Sequence, residues 1–246
     1  MATDQQVRIF DQRTEQERQR TFLPGMGKTW LLPLYDVFTR LVGVSALHRR
    51  ATELAEIAPG ESVVDVGCGT GNLSFAVLTA QPAARVTGLD PDGSALRRAA
   101  RKARRRGVAL TLVQGYADRL PAEDATLDHV VSALALHHVD DTGRAAFAQD
   151  AFRALRPGGR ITIVDFGGPA AAGDGGVHDH EHGRGHALRH LPTMLRRRAT
   201  QNPAVARNFG DAVRQLLIAA RFEDAREVEH FDHRLGRVNV TQATRP

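Results

Sequence analysis

Residues 62–72 read Ser-Val-Val-Asp-Val-Gly-Cys-Gly-Thr-Gly-Asn. A β-branched run carries an acidic residue near its end, Asp65, and glycines follow at alternate positions, Gly67, Gly69 and Gly71. That order predicts a buried strand, a tight turn and then a helix. Glycine has no Cβ, so the backbone takes unusual dihedrals and a ligand can lie directly against it. The spacing is G-x-G-x-G and differs from the G-x-G-x-x-G of the dinucleotide fingerprint. A further strand, Val86-Thr87-Gly88-Leu89, ends in Asp90, nineteen positions after Gly71. That is about where an α/β unit places a carboxylate that grips ribose hydroxyls.

From residue 62 the pattern alternates. Strands are predicted at 62–66, 85–89, 109–113, 127–133 and 160–166, and helices at 71–79, 93–106 and 142–155. Such alternation implies a parallel sheet covered on both faces, with right-handed crossovers. A helix near 210–220 and strands near 222–230 and 234–240 fit an antiparallel terminal hairpin. Residues 1–20 read as a polar arm or solvated helix. Residues 29–58 read as helical, interrupted at Pro33, with Leu34, Val37, Phe38, Leu41 and Val42 at helical spacing. Between 167 and 208 the regularity stops in a glycine-rich run, then His178, His180, His182, His186 and His190, then arginines at 196–198. The expected organisation is an N-terminal arm and helical cap over 1–58, followed by one α/β domain over 59–246 that carries this Gly/His/Arg-rich insert.

The glycine turn and Asp90 resemble the first two motifs of the class I S-adenosylmethionine-dependent methyltransferases. Further segments follow in the same order: Gly115-Tyr116-Ala117-Asp118-Arg119-Leu120-Pro121, Leu127-Asp128-His129-Val130-Val131-Ser132, Leu136-His137-His138 and Leu155-Arg156-Pro157-Gly158-Gly159-Arg160-Ile161. Together they run from about Glu61 to Phe166. Within the superfamily the chain is most similar to the small-molecule branch that includes the ubiquinone/menaquinone C-methyltransferases. The resemblance implies an α/β, Rossmann-like, seven-stranded and mostly parallel sheet with helices on both faces, an antiparallel terminal hairpin and an N-terminal helical leader. It implies S-adenosyl-L-methionine as cofactor and methyl transfer to a small hydrophobic or aromatic molecule by in-line displacement.

The same resemblance implies a set of cofactor contacts. Gly67, Gly69 and Gly71 let the backbone approach the methionine part and the ribose, beside a helix start whose amides and positive dipole end face the site. Asp65 fits the acceptor of the cofactor's ammonium, and Asp90 that of the two ribose hydroxyls. Ser132 falls in the matching fourth segment and is assigned to the cofactor site with them. The adenine end departs from the family pattern. Where Gly-Asp-Ala is usual, this chain has Gly115, Tyr116, Ala117 and then Asp118. Ala117 can still offer its amide to the ring. The exocyclic amine is left to Asp118, from one position later, or to the Tyr116 hydroxyl. Asp118 reads equally well as a helix N-cap.

In-line transfer needs alignment and exclusion of water more than acid–base groups. His137, with His138, follows the fourth strand at the carboxyl edge of the sheet, where a histidine suits general-base work near neutral pH. Tyr35 resembles a tyrosine that closes the cofactor pocket in related enzymes, and helix packing is its other reading. His182, His186 and His190 would share one helical face, able to hold a metal or place a base above the substrate. Gly183 and Gly185 weigh against a stable helix there, so His186 is carried as a candidate base and no metal is assigned.

Composition narrows the rest. Of 33 basic residues only Lys28 and Lys102 are lysines, and the formal net charge is +5. Arginines cluster at 97–106 and 196–198, with few aromatics nearby for base stacking. They read as solvated faces ahead of a nucleic-acid patch. No Asn/Asp-Pro-Pro-Tyr/Phe motif follows the fourth strand, and Cys68, the lone cysteine, is misplaced for attack on a pyrimidine. A nucleic-acid methyltransferase is therefore the weaker alternative. A fold member that binds the cofactor without transferring methyl is another. No disulfide framework, signal peptide or membrane span is read from the chain, so a cytoplasmic protein is expected, its oligomeric state open.

Overall fold

The computed structural model of the protein describes residues 7–19, 44–168, 208, 210–233 and 236–246. Eight strands form one sheet: β1 (Val7–Asp11), β2 (Ser62–Val66), β3 (Arg85–Asp90), β4 (Leu110–Gln114), β5 (Leu127–Ala133), β6 (Leu155–Gly168), β7 (Glu223–His233) and β8 (Gly236–Thr244). Their spatial order is β1-β4-β3-β2-β5-β6-β8-β7. Pairs from β1 to β6 are parallel, whereas β8 pairs antiparallel with both β6 and β7. The helices are α1 (Glu15–Gln19), α2 (Val44–Ala55), α3 (Asn72–Ala80), α4 (Gly93–Arg106), α5 (Asp141–Ala154) and α6 (Ala212–Ala219).

The chain winds outward from β2 to β4 and then returns to β5 on the other side of β2. The crevice at the carboxyl ends of β2 and β5 is thus the topological switch point, where open α/β sheets bind ligands. The two faces have separate cores. On one, Leu47 and Ala51 of α2, Phe75 and Val77 of α3, and Leu96 and Ala99 of α4 cover Val63, Val86 and Leu112. On the other, Phe147 and Ala151 of α5 and Leu217 of α6 cover Val64, Val130 and Ile163. Strand residues that alternate between the two cores explain the near-continuous apolar runs of a sheet buried on both sides.

The strands and helices expected between residues 62 and 154 lie within a residue or two of their predicted places. The strand expected at 160–166 starts earlier, at Leu155, and its pairing with β5 shifts register between Leu127 and His129. The sheet has eight strands instead of the seven expected. The extra one is β1, in a segment read as a polar arm or solvated helix. Its backbone pairs in parallel with β4, from Val7 opposite Leu110 to Asp11 opposite Gln114. Only Val7 of β1 is buried, so the strand is held by ladder hydrogen bonds along an edge that would otherwise stay open. A polar sequence conceals such a strand. Of the helical leader, α2 is described, while Tyr35 and most of the predicted cap lie outside the described residues.

Candidate cofactor-binding site

At the carboxyl end of β2 the chain turns through Gly67, Gly69 and Gly71, each with positive φ (72°, 52° and 82°). Gly71 caps α3 in the left-handed conformation, and a Cβ there would crowd the Phe75 ring at 3.0 Å and the Ala99 methyl at 3.3 Å. A Cβ on Gly69 would meet nothing within 4 Å, so this is where a ligand can lie on bare backbone. The turn is pinned to β3 by the Gly67 and Cys68 amides, which both donate to the Leu89 carbonyl at 2.8 and 3.1 Å.

This turn forms one wall of a cavity of about 810 Å³. That volume is within the range of about 300–1,000 Å³ usual for small-molecule sites. Asp65, Asp90, Tyr116, Ala117, Asp118 and Ser132 all line it, as do Gly67 and Gly69. The fold thus brings nearly every predicted cofactor residue to one place; Gly71 lies just behind, at the helix start.

Two carboxylates dominate its electrostatics. Asp65 is 1% exposed, and its Oδ2 accepts hydrogen bonds from the Ser74 amide at 2.9 Å and the Ser74 hydroxyl at 2.6 Å. Its Oδ1 has no bond among the described residues. Burial pushes its pKa up to about 7, against the opposing effect of the Ser74 bonds. Asp90 Oδ2 accepts from the Gly69 amide at 2.8 Å and Oδ1 from the Asp92 amide at 2.8 Å. Burial raises it to about 6, against those two amides. Neither carboxylate has an ion-pair partner among the described residues. Each is costly to bury unless a ligand supplies the missing positive charge or donors.

Ser132, expected at the cofactor site, lines the cavity and also bonds within the sheet. Its hydroxyl donates to the Val66 carbonyl at 2.9 Å, so it locks β5 to the end of β2. The adenine alternatives remain side by side in the cavity wall at Tyr116 and Asp118. A second strap crosses this end. Arg119 donates to the Gln12 carbonyl at 2.6 Å and to Glu17 at 2.8 Å. Thr14 and Glu17 close a reciprocal capping box, and Gln19 reaches the cavity.

His137 is buried and does not line the cavity; its neighbour His138 does. The His137 Nδ1 lies 2.7 Å from Asp165 Oδ1, and the His137 amide donates to Oδ2 at 3.1 Å. Phe166 adds its own amide to Asp165 and packs its ring edge against His137. His138 lines the cavity wall, where the surrounding protein partly desolvates its ring and, with His137, lowers its pKa to about 4. His186 lies outside the described residues, with the rest of the histidine run. Among the described residues no group of three or more His, Cys, Asp or Glu side chains could hold a metal ion.

Sequence reasoning missed Asp165, although Ile161-Thr162-Ile163-Val164-Asp165 repeats the signal of an apolar strand ending in an acid. It also missed His48 of α2, a cavity-lining imidazole lowered to about 4 by burial and then by the charge of Lys102.

This architecture is that of the Rossmann-like methyltransferase fold. A family model described as a methyltransferase domain matches residues 63–159, and the chain is similar to S-adenosylmethionine-dependent methyltransferases of the ubiquinone/menaquinone kind. It is 32% identical to the demethylmenaquinone methyltransferase of Thermus thermophilus, over 56% of this chain and 64% of that protein. It is 36% identical to the 27-O-demethylrifamycin SV methyltransferase of Amycolatopsis mediterranei, over 49% of this chain and 45% of that one. The chain thus spans less than two-thirds of these curated relatives' lengths. A Haemonchus contortus phosphoethanolamine N-methyltransferase, solved with phosphomonomethylethanolamine and S-adenosylhomocysteine, shares the fold with a TM-score of 0.61 at 16% identity. That match covers 82% of this chain and 52% of that one.

Proposed function

We propose that the protein transfers a methyl group from S-adenosyl-L-methionine to a small hydrophobic or aromatic molecule. The observation that carries this reading is a pair of carboxylates, buried Asp65 and half-buried Asp90, on either side of a bare glycine turn, with no cation among the described residues set against them. A zwitterionic ligand with a cationic sulfur, an ammonium and a ribose fits that donor set. Asp65 would take the ammonium, Asp90 the ribose hydroxyls, and the bare backbone at Gly69 the close approach, while Gly67 makes room for Ala135. Ala117 would offer its amide to the adenine, with Tyr116 and Asp118 beside it. Ser132 and Gly71 act by fixing the turn. When bound, the sulfonium supplies a methyl group already activated for displacement.

The chain's own part is then to orient and to dry the site. His138, held neutral across the physiological range, presents an imidazole to the cavity without adding positive charge beside a cation. His137, behind the cavity wall, is fixed through Nδ1 by Asp165 and supports its neighbour His138. Tyr35 as the residue that closes the cofactor pocket and His186 as a candidate base, both outside the described residues, belong to the same proposal. The relatives' names give demethylmenaquinone and 27-O-demethylrifamycin SV as what they methylate, which supports a small acceptor and leaves its acceptor atom to assay. Among the described residues no helix is long and apolar enough to cross a membrane, and a cytoplasmic enzyme is part of the same proposal. Calorimetry with S-adenosylmethionine and S-adenosylhomocysteine tests the site, and release of S-adenosylhomocysteine with candidate phenols and quinones tests transfer. Binding without turnover on any acceptor would favour a cofactor-holding protein instead. Absence of binding removes the whole reading.

A further inference from the structure

Lys102 stands alone in a helix otherwise supplied with arginine, and the structure gives it a specific task. Its ammonium donates to the Thr70 carbonyl at 3.0 Å, to the Thr70 hydroxyl at 3.0 Å and to Asn72 Oδ1 at 2.8 Å. Thr70 is the middle residue between Gly69 and Gly71, and Asn72 is the first residue of α3. Both line the cavity. An ammonium has three rotatable donors on a compact head, whereas a guanidinium presents a rigid planar fork. Three acceptors converging on one point suit lysine and not arginine.

The rest of α4 agrees with this placement. Ala95, Ala99, Lys102 and Arg106 recur at helical spacing and so share one face. Ala95 lines the cavity. The Ala99 methyl closes the space beside Gly71. The Arg106 guanidinium lies 4.2 Å from the centre of the Phe75 ring, and Lys102 Nζ 5.7 Å from it. At its other end α4 is fixed close to Asp90. Asp92 caps it by accepting from the Ser94 and Ala95 amides, while the Asp92 amide donates to Asp90 Oδ1. One rigid helix therefore touches both grips of the site, the Asp90 end through its cap and the glycine turn through Lys102. The turn needs such a support. Three residues with positive φ carry little intrinsic preference for one shape, and glycine loses the most freedom on ordering.

We propose that Lys102 is a positioning residue of the cofactor site: its ammonium ties α4 to Thr70 and Asn72 and holds the glycine turn in the shape that receives the ligand. The proposal rests on the reading of the cavity as a cofactor site. Ordering the turn in advance saves that cost at binding. Loss of the tie should therefore weaken the ligand without changing any group that touches it.

The test uses the full chain and three variants. Lys102→Met keeps the stem and removes the donors. Lys102→Arg keeps the charge and changes the donor geometry. Arg101→Met removes a charge one position away, on the exposed face of the same helix. S-adenosylhomocysteine is titrated by calorimetry into each, and hydrogen exchange is followed in the ligand-free proteins. For Lys102→Met the dissociation constant should rise about tenfold, with partial recovery in Lys102→Arg and no change in Arg101→Met. Amide exchange should quicken at residues 67–74 while β5 and β6 keep their protection. In turnover, KM for the methyl donor should rise while KM for the acceptor stays. Binding by Lys102→Met within twofold of the parent, or exchange that quickens over the whole sheet alike, overturns the proposal. If the parent protein itself binds no S-adenosylhomocysteine, the cofactor reading fails first and takes this proposal with it.

Discussion

The two ends of the central strands treat acidic residues in opposite ways. At the amino edge of the sheet, Asp128 accepts from the Ser62 amide at 2.7 Å and from the Arg156 guanidinium. Glu61 pairs with His129 at 2.9 Å and lies 3.6 Å from Arg156. Burial alone would raise the Asp128 carboxyl, but the Ser62 amide and Arg156 outweigh it and hold it below the usual range. At the carboxyl edge buried Asp65 and half-buried Asp90 take only neutral donors among the described residues and are raised to about 7 and about 6. The chain has 33 basic residues to spend, and none of those described is set against this second pair. Folding stability accounts for the first arrangement. The second is understandable as a site kept short of positive charge until a cationic ligand arrives.

The largest expected effect separates the two edges by binding. Asp90→Ala should weaken S-adenosylhomocysteine roughly ten- to hundredfold by calorimetry, the equivalent of a charge-assisted bond of about 1.5–3 kcal/mol. Asp128→Asn should leave that affinity unchanged. Equal losses in both variants would mean that the carboxyl edge acts only through the fold.

The next effect concerns pH. Asp65 has a folded-state pKa of about 7 against an ordinary 3.8. For a group raised on folding, the stabilising contribution is full below the unfolded value and is lost as pH rises through the folded one. Ligand-free protein should therefore gain stability from Asp65→Asn at pH 8, on the order of 1–3 kcal/mol or several degrees in Tm, and little at pH 4. Thermal unfolding at the two pH values reads this directly, and an identical gain at both would refute it. The same variant should bind the cofactor more weakly. Binding to the unmutated protein should tighten between pH 6 and 8 as the carboxylates ionise, with proton release visible as a buffer-dependent heat.

Much of this contrast could be read from the chain before any coordinates. Asp65 and Asp90 announce themselves because each lies near the end of an apolar strand and a glycine turn follows the first. Local signals of that kind survive folding. What stayed hidden depends on partners distant in sequence. The edge strand β1 carries a polar sequence, and its place is set by the open ladder of β4, about a hundred residues away. His137 was a fair candidate by position, yet whether it faces the cavity depends on Asp165, which captures its Nδ1 from 28 residues downstream. Lys102 was visible as an oddity of composition, but its partners at Thr70 and Asn72 come from 32 and 30 residues earlier. Spacing along one element predicts which groups share a face; it does not say which face of a neighbouring element they meet.

The smallest effect belongs to the amino edge and completes the contrast. Asp128→Asn keeps its one oxygen for the Ser62 amide and turns an NH2 toward Arg156, so both the charge and the hydrogen bond of the Arg156 contact are lost. The Arg156 side chain is 48% exposed, so water and salt screen the pair, and such contacts contribute about 1 kcal/mol or less. A loss of about 1–3 °C in Tm is expected at neutral pH. The sign of its pH dependence is opposite to that of Asp65. A carboxyl lowered on folding stabilises above its unfolded pKa and ceases to do so as pH falls through the folded value. The deficit of Asp128→Asn should therefore shrink in acid and in high salt, where that of a packing defect would persist. One acid type on one sheet would then show opposite pH slopes at its two ends, and the direction of each slope follows from whether a cation of the chain has been placed beside it.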